Sequence, residues 1–255
     1  MMWSGTSRVY ERLSKTEMIL GIQMRSRSPL IAELAGCLGY DFLYIETEHF
    51  AHNDETIEAL VRAAQLTGIT PWVRIMDPSA EYIGHMLDMG VQGIIIPHLE
   101  EAEQAEALVD AIKFPPAGHR GSGATSRAAW FGCIDAGQFM EVSNRLCMAI
   151  GMIESRKAVE NLEEILRSGI DMIRVGRSDL SLDMGLTGKQ KDPVFVETLK
   201  YITRTAARYN IPVGTAASDK EQAEYYKGLG FRCLSLGSDM ELLKRSLKKN
   251  LDDCR

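Results

Sequence analysis

The chain has 255 residues, 45% of them hydrophobic and 25% charged, with a formal net charge of −6; this composition suits one large globular core. Lys and Arg are spread without a basic stripe, which argues against a nucleic-acid partner, and no apolar run approaches the roughly 20 residues needed to span a bilayer. Five scattered cysteines with no C-x-x-C pair, behind a polar N-terminus lacking a signal-peptide core, read as free thiols in a reducing cytoplasm.

Residues 1–15 predict an extra helix outside the main fold. Eight short apolar runs follow: MILGIQ (18–23), DFLYIE (41–46), PWVRI (71–75), GIIIP (93–97), CMAIGMIE (147–154), DMIRVG (171–176), IPVGTA (211–216) and RCLSLG (232–237). Several are almost continuously hydrophobic, as parallel strands covered on both faces should be. Amphipathic helical patterns lie between them, for example at 54–66, 80–89, 100–112, 158–167, 193–209 and 220–229, with Asp54 and Asp219 placed to cap two of them. Eight β-then-α units without a compositional break predict a single (β/α)8 barrel domain over 1–255. A doubly wound open sheet is the alternative, and the count of eight favours closure.

In such a barrel the active site lies at the C-terminal ends of the strands. Those ends carry Glu46, Glu48 and His49; Arg74; His98; Glu154; Arg177 and Asp179. Charges there face a polar mouth and avoid the cost of burial in a dry core. Glu154 and Asp179 come from neighbouring strands and suit a hard cation such as Mg²⁺ or Mn²⁺, or each caps a helix. Arg74 either pairs with a carboxylate or donates to a developing enolate. His49 is a base or a hydrogen-bonded structural group, and Asp88 orients it only if the fold or a neighbouring subunit brings the two together. The segment 114–130, FPPAGHRGSGATSRAAW, reads as a lid or clamp whose Arg120 and Arg127 suit an acidic substrate. It lacks the P-loop spacing. The glycines of GTAASD and LGSD either hold a phosphate or make tight turns.

Six segments in order resemble the HpcH/HpaI aldolase/citrate lyase family: ETEH (46–49), WVRI (72–75), MLDMGVQGIIIP (86–97), FPPAGHRGSG (114–123), MIES (152–155) and VGRSDLS (175–181). The resemblance runs over 21–247. It implies a (β/α)8 barrel and divalent-metal-dependent aldol chemistry on a 4-hydroxy-2-oxo acid, releasing pyruvate or a close 2-oxo acid and an aldehyde. On this resemblance Glu154 and Asp179 hold Mg²⁺, Mn²⁺ or Co²⁺, and Arg74 stabilises the enolate. His49 acts with Asp88 as an acid/base dyad, and the N–H groups of Ser178 and Asp179 hold the substrate carboxylate. It also implies a homo-oligomer, a hexamer built as a trimer of dimers, with the last helix (240–251) exchanged between partners. Four positions depart from the family pattern: Glu46 where Asp is common, Met152 for Gln, Arg177 for Pro, and Ser178 for a small apolar residue. Arg177 adds a charge beside the carboxylate site and suggests an acidic acceptor or product. An acyl-CoA lyase and a non-catalytic 2-oxo acid binding barrel are the competing readings, and no clear basic surface for a CoA pyrophosphate supports the first.

Overall fold

The strands are β1 (Ile19–Met24), β2 (Phe42–Glu46), β3 (Thr70–Arg74), β4 (Gly93–Ile96), β5 (Met148–Ile153), β6 (Met172–Val175), β7 (Val213–Ala216) and β8 (Cys233–Ser238). Each bound lies within two residues of its sequence expectation. They pair in parallel in chain order, and β8 closes onto β1. This is the expected (β/α)8 barrel, seen in a computed structural model that describes residues 7–255; the first six residues of the expected 1–15 helix lie outside the described residues.

Alternation along the strands builds two apolar layers. Ile19, Phe42, Trp72, Ile95, Ile150, Met172 and Cys233 fill the barrel interior. Leu43, Ile45, Val73, Ile94, Ile173 and Leu234 face the surrounding helices. Helix α1 (Arg8–Ser14) closes the N-terminal end of the barrel, with Val9 buried in the interior cluster. The Arg8 guanidinium donates to the carbonyls of Tyr40 at 3.2 Å and Thr67 at 2.9 Å. A cation there offsets the negative helix ends.

The helices that follow are α2 (Pro29–Cys37), α3 (Asp54–Thr67), α4 (Ala80–Asp88), α5 (Ala102–Ile112), α6 (Ala136–Leu146), α7 (Arg156–Glu160), α8 (Leu162–Arg167), α9 (Arg177–Asp183), α10 (Pro193–Arg208), α11 (Lys220–Gly228) and α12 (Asp239–Asp253). The 158–167 pattern is broken at Asn161 into α7 and α8. Asp219 caps α11 by accepting from the Gln222 N–H, whereas Asn53, not Asp54, caps α3. Leu30, Leu34 and Leu38 place a second apolar stripe on the exposed side of α2, which blurs its helical period in the sequence. Among the described residues no helix is long and apolar enough to cross a membrane. All five cysteines are free.

The 114–130 segment is not a lid at the strand C-termini. It joins α5 to α6 and packs on the C-terminal ends of α3 and α4, at the opposite end of the barrel. Arg120 is buried on the Phe114 ring and donates to Asp88 Oδ1 at 2.8 Å, while Arg127 donates to the Met89 carbonyl and Gln65 Oε1, both at 2.7 Å.

Candidate active site

The end of β2 explains why an apolar strand finishes in acids. Glu46 is fully buried, and it is never alone: Gln23 Nε2 donates to Oε2 at 2.6 Å, Arg74 Nε donates to Oε1 at 3.0 Å, and Arg74 Nη2 pairs with Oε2. The backbone N–H of Glu48 also donates to Oε1, at 2.9 Å. Arg74 Nη1 lies 2.7 Å from Glu48 Oε2 as an ion pair. Burial opposes the Arg74 charge, and the bonds and charge of Glu46, with Glu48, outweigh it and raise the Arg74 pKa. The guanidinium is thereby held charged and fixed in direction at the mouth.

Glu154, just past β5, is the second buried acid. Its Oε1 accepts the His98 backbone N–H at 2.7 Å, and the His98 ring lies 3.2 Å from the same oxygen and 3.5 Å from Glu48 Oε1. His98 adopts a left-handed backbone with φ 51° to aim that N–H, a strain of about 1–3 kcal/mol of the kind that gathers at functional sites. A methyl group at Gly176 would overlap Glu154 Oε2, so only glycine lets β6 pass this close. Burial raises the Glu154 pKa; the His98 N–H and ring lower it, and the charges of Asp179 and Glu48 raise it again. Like charges crowded at a buried carboxylate are relieved by a hard cation, so the donors fit one. Among the described residues no three His, Cys, Asp or Glu side chains converge in ligand geometry. Glu154 and Asp179 would therefore be a two-carboxylate site, completed by substrate and water as Mg²⁺ sites often are.

Arg74, Met152, Gly176, Arg177, Ser178, Asp179 and His49 line one cavity of about 320 Å³ at the strand C-termini. His49 is exposed there, with its backbone N–H 3.4 Å from Glu46 Oε1 and its ring 3.8 Å from Glu48. Asp88 is elsewhere in the chain, at the end of α4, bonded to Arg120; among the described residues none of its contacts is with His49. Arg177 is tied into the wall. Its Nε donates to Thr215 Oγ1 at 3.1 Å, Nη1 to Gln190 Oε1 at 2.7 Å and to the Tyr226 hydroxyl, and Nη2 to the Ala216 carbonyl at 2.9 Å. Sequence reasoning missed Gln23, Tyr44 and Arg174, which also line this cavity. They lie inside strands; the two-residue period counted back from Glu46 reaches Tyr44 and from Gly176 reaches Arg174, while Gln23 is found only as the ladder partner of Tyr44.

The sequence pattern of the HpcH/HpaI aldolase/citrate lyase family matches residues 20–246. The chain belongs to this family. A relative within reach of sequence comparison, 2-keto-3-deoxy-L-rhamnonate aldolase of Escherichia coli (strain K12), is 31% identical over 94% of this chain and 90% of its own length. The HpcH/HpaI aldolase from Desulfitobacterium hafniense DCB-2 superposes with a TM-score of 0.92 at 25% identity, over 98% of this chain and 97% of that one. Citrate synthase SbnG superposes with a TM-score of 0.85 at 30% identity, over 96% of each chain. This HpcH/HpaI chain is a carbon–carbon lyase of the divalent-metal-dependent aldolase class.

Proposed function

We propose that the enzyme cleaves, and in reverse forms, the carbon–carbon bond of a 4-hydroxy-2-oxo acid of the 2-keto-3-deoxy sugar acid type, giving pyruvate or a close 2-oxo acid and an aldehyde. The observation that carries this reading is the wall of one cavity shared by Arg74 and Asp179, with Glu154 set behind Gly176. Glu154 and Asp179 are the groups to hold Mg²⁺, Mn²⁺ or Co²⁺, which would supply Lewis acidity at the 2-oxo group. Arg74, locked by Glu46 and Glu48, presents its charge to the oxygen that becomes an enolate. The backbone N–H groups of Ser178 and Asp179 receive the substrate carboxylate. Arg177, bonded to Thr215, Ala216, Gln190 and Tyr226, sets a positive wall beside it. His49 takes the proton of the C4 hydroxyl in cleavage and returns it in synthesis. Asp88 reaches His49 only from a neighbouring copy of the chain.

A neighbouring copy is also what α12 calls for. Met240, Leu243, Leu247 and Leu251 form an exposed apolar stripe on it, each 44–60% exposed, and such stripes are interaction surfaces. We infer exchange of this helix within a dimer, and a hexamer as a trimer of such dimers. The identity to SbnG favours a second reading, in which the site stabilises the enolate of an acetyl thioester that adds to the keto carbon of a four-carbon 2-oxo diacid, giving a citrate-type product once the thioester is hydrolysed to the free thiol.

The test is proton exchange at the pyruvate methyl group in D₂O, which needs no knowledge of the aldehyde. Exchange that requires added Mg²⁺, Mn²⁺ or Co²⁺ and is lost in Glu154→Ala and Arg74→Ala supports the pyruvate enolate of the first reading. No exchange with any of the three cations overturns it. Product analysis with aldehydes then identifies the acceptor, and incubation with oxaloacetate and an acetyl thioester tests the second reading by release of citrate and free thiol.

A further inference from the structure

Arg174 on β6 is a buried cation with no acid beside it. It is 4% exposed and lines the same cavity as Arg74 and Asp179. The protein accounts for three of its five N–H donors: Nη1 donates to Cys233 Sγ at 3.1 Å, and Nη2 to Ser235 Oγ at 2.7 Å and, at 3.5 Å, to the Thr215 carbonyl. Its guanidinium carbon lies 5.2 Å from the centre of the Tyr44 ring. Among the described residues no carboxylate pairs with it, whereas its neighbour Arg74 has two. The groups around it stay neutral: burial pushes the Cys233 thiol up to about 11 and raises the Tyr44 phenol too. The space for the guanidinium is built into the sheet. Gly214, the ladder partner of Arg174 on β7, has no side chain, and a Cβ there would stand 3.1 Å from both Cγ and Nη1.

A buried, hydrogen-bonded guanidinium without a counter-charge is strongly unfavourable unless an anion arrives. The two N–H groups left over, on Nε and on Nη1, lie on different edges of the guanidinium, so a carboxylate is received through one charge-assisted hydrogen bond and not a two-pronged fork. Arg174 also lies two residues before Gly176 along β6, deeper than the Ser178 and Asp179 amides. A group seated on it belongs to the molecule that occupies the floor, and the aldehyde approaches over it from the mouth.

We infer that Arg174 is a specificity-determining residue that receives a second carboxylate on the 2-oxo acid, so that the enzyme prefers 2-oxo dicarboxylic acids to monocarboxylic ones. This rests on the proposed 2-oxo acid chemistry of the same cavity. The test is calorimetric binding to the Mg²⁺-loaded full chain, with acids matched in length: 2-oxobutanoate against oxaloacetate, and 2-oxopentanoate against 2-oxoglutarate, with pyruvate as reference. The expected result is that at least one diacid binds about tenfold or more tighter than its monoacid, the scale of one charge-assisted pair. Arg174→Met should remove that difference and leave the monoacids within about twofold, and Arg174→Lys should keep part of it. Equal binding of diacid and monoacid by the parent protein overturns the inference without any variant. So does an Arg174→Met variant that weakens pyruvate as much as the diacid, because the guanidinium then serves the first carboxylate or the wall. Failure of every 2-oxo acid to bind removes the proposed function and this inference with it; binding of pyruvate alone leaves the function standing and removes only the inference.

Discussion

Glu46 and Arg74 stand opposite each other in the β2–β3 ladder, and their side chains close a buried ion pair on the cavity wall. The pair is held on its far side by Gln23 and on its near side by Glu48. Removing one partner leaves the other charged and buried, at a cost of roughly 3–5 kcal/mol. Glu46→Ala should therefore lower stability by that order in urea unfolding. Glu46→Asp should fold but hold Arg74 less firmly, and slow pyruvate exchange with little change in unfolding midpoint. Unchanged exchange in a folded Glu46→Asp protein would show that the longer arm is not what sets Arg74.

Gly176 passes against Glu154 Oε2 with no room for a methyl group. Gly176→Ala should fold and lose roughly 10–100-fold in metal affinity, as displaced supporting contacts at metal sites do. Titration with Mn²⁺ reads this directly. Parent-like affinity would mean that Glu154 is free to move or is not a ligand.

Glu154 has a raised pKa in the metal-free protein, with burial the leading cause. Between the ordinary carboxylate value and the raised one, the folded protein binds more protons than the unfolded chain. Metal-free stability should therefore fall as pH rises through that window. Glu154→Gln should flatten the slope. Added divalent cation should raise the melting temperature most above the window, where the carboxylate is free to bind, and the gain should fade as pH drops through it. Melting curves against pH, with chelator and with Mg²⁺, check both signs.

His49 and Asp88 have no contact within one chain, so a shared role requires two copies. His49→Ala and Asp88→Asn should each lose about 10²–10⁴-fold in cleavage rate, the range of a missing acid/base group. Mixing the two variants by denaturation and refolding should restore a fraction of activity, because some sites regain His49 from one chain and Asp88 from its neighbour. Absence of recovery in demonstrably mixed oligomers would leave Asp88 as the partner of Arg120 and nothing more.

The apolar stripe of α12 gives the last test. Leu247→Asp should shift the oligomer toward smaller species in light scattering at micromolar concentration while the barrel, whose core it does not enter, keeps its circular dichroism. An unchanged mass would remove α12 from the interface.

The amino-acid order by itself determined the eight strands, because parallel strands covered on both faces leave unbroken apolar runs. It also determined that Glu46, Glu48, Arg74, Glu154 and Asp179 share one mouth, because the C-terminal ends of all strands in a barrel point the same way. The period of α2 is blurred by a second apolar stripe, and the start of α9 lies inside the VGRSDLS motif. The tertiary structure alone decided how the charges are spent. Arg120 turns to Asp88 at the far end, Arg177 is bound by Gln190 and Tyr226, Arg74 takes two carboxylates, and Arg174 takes none. Such pairings depend on ladder partners and helix packing between residues 13 to 49 or more positions apart, and a periodic pattern read along the chain carries no record of which side chains will meet.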